Sequence, residues 1–373
     1  MHPENVTRFR EYMQSQGMTA ALLANPFTLA WLTGYAAPAQ TGPSPFDGGP
    51  ALGWLCGDEL TLIVADGEVP AARATGAAVR EYAGYTVDQP LDGTQRQAGI
   101  LREVLSAEAA LTGRVAFEPD YLTLALHEAA KAALPRVTWQ PLEPESARLR
   151  AVKTPAEIAK IRAALRLCDL GQQAVRDGLK PGVSELELWA GLKARMEDAA
   201  GGRVPVLADL LAGPRTAEIG GLPSSYRLAE DDPVLCDLVP RLDGYWGDNC
   251  GTYFLGEPAA ELRKIYAVVN ETLLRLVAAV KPGQSARALD QMAREAIRTA
   301  GYEPFPHHTG HGVGAAYHEE PRLVPYNSMV LEPGMVVAVE PGVYVPGLGG
   351  VRLEHVLLVT TDGAEVLTQH LPH

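Results

Sequence analysis

PVLCDLVPRLDGYWGD, running from Pro233 to Asp248, reads as an apolar strand carrying one carboxylate, Asp237, then a turn signal at Asp243-Gly244 and a return segment ending on Asp248. A turn centred between Leu242 and Asp243 is expected to set Asp237 directly opposite Asp248, with Cβ atoms about 4.5–5.5 Å apart. Two bare anions at that separation repel. The pair therefore calls for a bound cation or a raised pKa.

The same construction returns near the C-terminus. Met335 to Glu340 is an apolar strand ending in a glutamate, Pro346 to Gly350 is a turn, and Val351 to Val359 is a return strand with Glu354 in it. Glu340 and Glu354 are symmetric about Gly347, so both should face one spot. A second opposed pair of acids within apolar strands is not what a solvated surface produces. Between the hairpins lies Pro306-His307-His308-Thr309-Gly310-His311-Gly312, with His318 seven residues after His311. The glycines flanking His311 allow close backbone approach. One imidazole and four acids make an oxygen-rich donor set suited to two bridged divalent ions.

Outward from these motifs the chain reads as two domains, about 1–145 and 146–373. The first alternates helix and strand: a helix from Arg8 to Gly17, a strand from Ala20 to Ala24, a turn at Asn25-Pro26, strands at Leu60–Val64 and Arg114–Phe117, and helices near Gly99–Glu108 and Tyr121–Leu134. This predicts a small α/β domain. Pro38 to Pro50 should be a loop, either solvated or reaching a pocket or a neighbouring subunit. A turn-rich stretch from Trp139 leads into Lys153-Thr154-Pro155, where Thr154 caps a helix with Glu157 as its third residue.

In the second domain, Lys180-Pro-Gly-Val-Ser184 recurs as Lys281-Pro-Gly-Gln-Ser285, and each following helix closes on Ala-Gly, at 200–201 and 300–301. Equal spacing between two landmarks predicts an internal duplication, hence a pseudo-twofold α+β domain with a cleft between its halves.

Composition bounds the function. Of 373 residues, 47% are hydrophobic and 21% charged, which excludes a disordered, collagenous or coiled-coil chain. A net charge of −13 repels phosphate backbones and anionic lipid, so neither nucleic acid nor membrane is expected as a partner. Cys56, Cys168, Cys236 and Cys250 form no CxxC pair and read as buried free thiols of a reducing compartment. The opening residues lack the pattern of a secretion signal, and a cytoplasmic location is expected.

Asp237, Asp248, His311, Glu340 and Glu354, with the GHGVG run at 310–314, the EPG at Glu340 and the GVRLE ending on Glu354, resemble the pita-bread metallopeptidases. The N-terminal domain, with Arg8, Gly17, the Asn25 turn and Trp31-Leu-Thr-Gly-Tyr35, is similar to the creatinase-type domain of the Xaa-Pro peptidase branch. The likeness spans nearly the whole chain. It implies a pita-bread catalytic domain in which those five residues hold two divalent metal ions. An oxygen-rich set favours Mn²⁺, with Co²⁺ or Zn²⁺ as alternatives. It further implies hydrolysis of the bond between an N-terminal residue and proline, with proline-containing peptides as substrates, and a homodimer. Glu340 would serve as both ligand and general base, while His318, His307 and Arg352 match other active-site positions of the family. His308 and His355 receive no role.

The chain departs from the family around the first hairpin. Gly220 stands where a substrate-contacting histidine is usual, Val239 where a glycine is, and Cys250-Gly251 where Thr-Arg is, although Thr252 remains. Cys250 should share a face with Asp248 and approach the metal shell. These departures favour a second reading: a metal-binding member with weak or altered peptidase activity that acts as a peptide-binding or regulatory protein.

Overall fold

The computed structural model describes residues 1–38, 48–142 and 144–371. Residues 39–47, most of the Pro38–Pro50 segment, lie outside them. The chain divides into two compact units, Met1–Leu149 and Arg150–His373.

The first unit contains α1 (Pro3–Ser15), β1 (Met18–Leu23), α2 (Pro26–Thr33), β2 (Leu52–Cys56), β3 (Glu59–Ala65), α3 (Val69–Ala74), β4 (Ala78–Tyr82), α4 (Gly93–Ser106), β5 (Gly113–Phe117), α5 (Leu124–Ala133) and β6 (Val137–Pro141). Its six strands form one mixed sheet in the order β4-β3-β2-β1-β5-β6. β1 lies inside that sheet, antiparallel to β2 and parallel to β5, and a strand covered on both faces reads as a nearly continuous apolar run. Two expectations need correction. Asn25-Pro26 starts a helix instead of making only a turn: the Asn25 side chain accepts from the Phe27 amide at 2.9 Å, and Pro26 takes the first helical position. Trp139 belongs to the edge strand β6, where Pro141 at the strand's end faces a single neighbour, β5.

The second unit contains α6 (Pro155–Gly178), α7 (Glu185–Ala200), β7 (Val206–Ala212), β8 (Pro233–Leu242), β9 (Tyr245–Trp246), β10 (Asn249–Phe254), α8 (Ala260–Ala279), α9 (Ala286–Thr299), β11 (Gly310–Gly312), β12 (Glu319–Leu323), β13 (Val336–Val339), β14 (Gly342–Val345), β15 (Gly349–Arg352), β16 (His355–Val359) and β17 (Ala364–Val366). Thr154 and Glu157 close a capping box on α6, as do Ser184 and Glu187 on α7.

The duplication is visible in backbone detail. Gly182 and Gly283 adopt φ of +82° and +83°. Their amides donate to Leu228 and Leu331 carbonyls, while Ser184 and Ser285 each cap a helix and bridge a later segment at Arg227 and Val330. Each half carries its own core. One is built on Leu167, Leu192, Leu210 and Leu238, the other on Leu273, Leu289, Val337 and Leu357. Sheets β10-β8-β7 and β12-β11-β13-β16-β17, with the β14-β15 pair, then present the acidic strands. Among the described residues no helix is long and apolar enough to cross a membrane.

Candidate metal centre

The C-terminal pair of acids sits where two ladders meet. Val339 pairs with His355 at the end of β13-β16, and Gly342 with Arg352 at the start of β14-β15. Both ladders run in one register. Glu340 and Glu354 therefore occupy opposed positions at the junction, and both are buried.

The first pair departs from expectation. Asp237 faces Cys250, not Asp248. The cause is the turn: Asp243 and Gly244 both take positive φ, 48° and 82°, so these two residues alone form a primed hairpin turn centred between them. The register moves by two residues. Because side chains alternate with period two, Asp237 and Asp248 still share a face, now on a diagonal, with Cys250 between them. The Cys250 thiol points to the Arg352 carbonyl at 3.6 Å, and its own carbonyl accepts from the Glu354 amide at 2.9 Å. Thr252 supports the same segment, its hydroxyl bonding the Arg352 carbonyl at 2.9 Å. Cys56 is only half-buried, whereas Cys168, Cys236 and Cys250 are buried; all four are free thiols.

Asp248, His311 and Glu354 each turn one ligand atom to within 4.8 Å of the others. Glu340 Oε1 lies 3.5 Å from His311 Nε2, and Asp248 Oδ2 lies 3.4 Å from the same nitrogen. His311 Nδ1 is 3.0 Å from the Gly312 carbonyl, which can only accept; Nδ1 thus carries the proton, and Nε2 offers its lone pair to the acids. Asp237 joins through Arg352, whose Nη2 donates to Asp237 Oδ2 at 2.6 Å and to Asp209 Oδ2 at 2.8 Å.

The electrostatics of this cluster favour a cation. Burial pushes Asp237 up to about 6, opposed by Arg352 and reinforced by Asp209 and Glu340. Burial raises Asp248 well above the carboxylate range, and the charges of Asp237 and Glu340 add to it. Glu354 rises likewise from burial and from Asp248 and Glu340. Burial would raise Glu340 too, but the His308 contact and the charges of His307 and His311 outweigh it and hold Glu340 low. Burial lowers His311 to about 3 and His318 to about 4, which keeps both rings neutral at pH 7. Asp237 Oδ1 and Glu354 Oε1 are buried and meet no hydrogen-bond donor among the described residues. Oxygen lone pairs without donors, mutually repelling acids and a neutral imidazole are what divalent ions would satisfy.

Around this cluster the remaining named residues separate. Arg352 Nη1 donates to the Tyr344 oxygen at 3.0 Å, and the Tyr344 hydroxyl meets His307 Nε2 at 2.8 Å. His307 Nδ1 contacts the His308 carbonyl at 2.8 Å, so His307 is held on both sides. His318 is exposed at the rim, its ring centroid 4.3 Å from that of His311. His355 is buried against the Thr368 hydroxyl at 2.8 Å, away from the cluster.

Comparison with known proteins gives the same answer from an independent direction. Residues 159–361 match metallopeptidase family M24, and residues 6–152 match the creatinase/prolidase N-terminal domain. The chain belongs to metallopeptidase family M24. An Xaa-Pro dipeptidase of Pyrococcus furiosus is 39% identical over 223 residues, 59% of this chain and 64% of that protein. An uncharacterized peptidase of Staphylococcus aureus is 34% identical over 69% of this chain and 74% of its own length. The solved Xaa-Pro dipeptidase of Bacillus anthracis superposes with a TM-score of 0.83 at 30% identity, covering 99% of this chain and 98% of that one. The two-domain α/β fold is therefore that of prolidases, and divalent metal use comes with the family.

This M24 chain also holds site residues that its sequence did not flag. His308 Nε2 approaches Glu340 Oε1 at 3.0 Å, and one ring nitrogen from each of His308, His311 and His318 lies within 4.8 Å of the others. Asp209 lies directly across β7-β8 from Asp237. Its signal was present, a carboxylate interrupting the apolar run Leu207 to Ala212, the same signal that singled out Asp237. Gly220 turns with φ +77°, and its amide reaches Asp209 Oδ2 at 3.2 Å. A backbone donor stands where a histidine is usual, in a conformation that disfavours any side chain.

Proposed function

We propose that this M24 chain is a dinuclear metallo-exopeptidase that hydrolyses the bond between an N-terminal residue and proline, as an Xaa-Pro dipeptidase or aminopeptidase. Asp237, Asp248, His311, Glu340 and Glu354 would hold the two ions, with Mn²⁺ favoured by four carboxylates and one imidazole. Bound there, two dications would acidify a water and polarise the scissile carbonyl. The chain's own groups supply the rest. Glu340, whose carboxyl the His308 contact helps hold low, is available to accept the proton released as water adds and to return it to the proline nitrogen. His318, a neutral ring at the rim, would meet the carbonyl oxygen as charge develops on it. The Arg352–Tyr344–His307 chain holds one wall rigid. The observation that carries this reading is the convergence of Asp248, His311 and Glu354 with Glu340 on a single buried point.

The substrate class of the Xaa-Pro relatives can be assayed directly beside a proline-free control. Xaa-Pro dipeptides, longer Xaa-Pro peptides and Met-initiated peptides without proline, incubated with Mn²⁺, Co²⁺ or Zn²⁺, should show proline-dependent release of the first residue. Absence of cleavage from all three sets, on a chain holding two ions, would replace this reading with the peptide-binding one that Gly220 favours. A homodimer, checked by light scattering, belongs to the same proposal.

A further inference from the structure

Arg352 is buried, with 4% of its side chain exposed, and its Nη2 is shared between two carboxylates: Asp237 at 2.6 Å and Asp209 at 2.8 Å. Asp209 is the cross-strand neighbour of Asp237. Its Oδ2 is engaged by both Arg352 and the Gly220 amide. Asp209 therefore faces the guanidinium, not the cluster's centre.

Charge balance gives this arrangement a purpose. Four ligand carboxylates and two dications sum to zero, which leaves the buried Arg352 charge uncompensated. If Asp237 were the sole anion beside Arg352, guanidinium and metal would compete for one carboxylate. The geometry points to Asp209 as the counter-ion of Arg352, a positioning residue that frees Asp237 for the metal while Arg352 stays in line with Tyr344 and His307. The inference rests on the metal-site reading above and adds to it a residue outside the ligand set.

The test is Mn²⁺ titration of the metal-stripped full chain by calorimetry, with circular dichroism to verify folding. The wild type should take two ions. D209N should bind one of them about tenfold or more weakly, D209E should recover most of that affinity, and the double variant D209N/R352M should recover it as well, because the competing cation is gone. A merely structural role for Asp209 would not be rescued by removing a second buried side chain. R352M alone should bind Mn²⁺ at least as tightly as the wild type, an arm that stands even if D209N does not fold. D209N titrating like the wild type, D209N/R352M no better than D209N, or R352M weaker than the wild type would each overturn the inference while leaving two-metal binding intact. A wild type that takes no Mn²⁺ would overturn the metal-site reading itself, and this inference with it.

Discussion

Asp237→Asn should stabilise the metal-free chain at neutral pH and cripple the metal-loaded one. The Asp237 carboxyl titrates near 6 in the fold against an ordinary 3.8, raised by burial first and by Asp209 and Glu340 after it. Between those values the folded chain keeps a proton that the unfolded chain has shed. Stability from this group is thus fully present below pH 4 and lost as pH rises through 6. The difference of roughly two pKa units corresponds to about 3 kcal/mol at pH 7.5. Asparagine imitates the protonated acid, so in EDTA the variant should match the wild type at pH 4 and exceed it by about 3 kcal/mol at pH 7.5. In a unit of this size that is about 6–12 °C in melting temperature. Comparing variant with wild type at each pH cancels the opposing contribution of His311 and His318, which lose stability as pH falls through their unfolded values. With Mn²⁺ at about a hundred times its dissociation constant, each ion adds about 2.7 kcal/mol to the wild type, so the order should reverse where the variant, lacking the ligand, holds neither ion. Urea melts at pH 4, 6 and 7.5, with EDTA and with Mn²⁺, read both halves. If D237N is the weaker protein in EDTA at pH 7.5, or if its advantage persists unchanged to pH 4, the electrostatic account of the site is wrong.

Three further outcomes follow from the same geometry. Glu340→Gln, which removes a ligand carboxylate as well as the base, should bind Mn²⁺ more weakly and, at Mn²⁺ saturation, still lose about 10²–10⁴ in kcat, the span general base catalysis supplies, measured on an Xaa-Pro peptide with metal content determined on the same sample. Glu319 is buried between Arg150 and Lys153, each at 3.1 Å, and the Lys153 side chain has no exposure, so Glu319→Gln should cost about 3–5 kcal/mol in urea unfolding; a loss under 1 kcal/mol would show the pair to be incidental. Gly182→Ala and Gly283→Ala, at φ +82° and +83°, should each cost about 1–2 kcal/mol and nearly the same amount, whereas unequal costs would count against equivalent turns in the two halves.

What could be read from residues alone was decided by how local the controlling physics is. The caps at Thr154 and Ser184 were legible because a capping box lies within four residues, and the register of Glu340 with Glu354 because both flanking ladders keep one pairing through the turn at Gly347. The first hairpin was misplaced by two residues, since a primed turn is defined by positive φ at both Asp243 and Gly244 and the Asp-Gly signal marks its centre, not its end. That error did not cost the site. A shift of two preserves the face of every side chain, so the two aspartates stay on one side of β8 and β10 in either register, while a shift of one would have turned them apart. The roles of Asp209 and His308 lie beyond local inference for a different reason. Arg352 is brought to Asp209 across 143 positions by the packing of the duplicated halves, and Glu340 to His308 by the pairing of β11 with β13 inside one half. Binding residues of this kind become visible when a buried charge is followed to every group that touches it, and in this chain that path runs from Asp237 through Arg352 to Asp209.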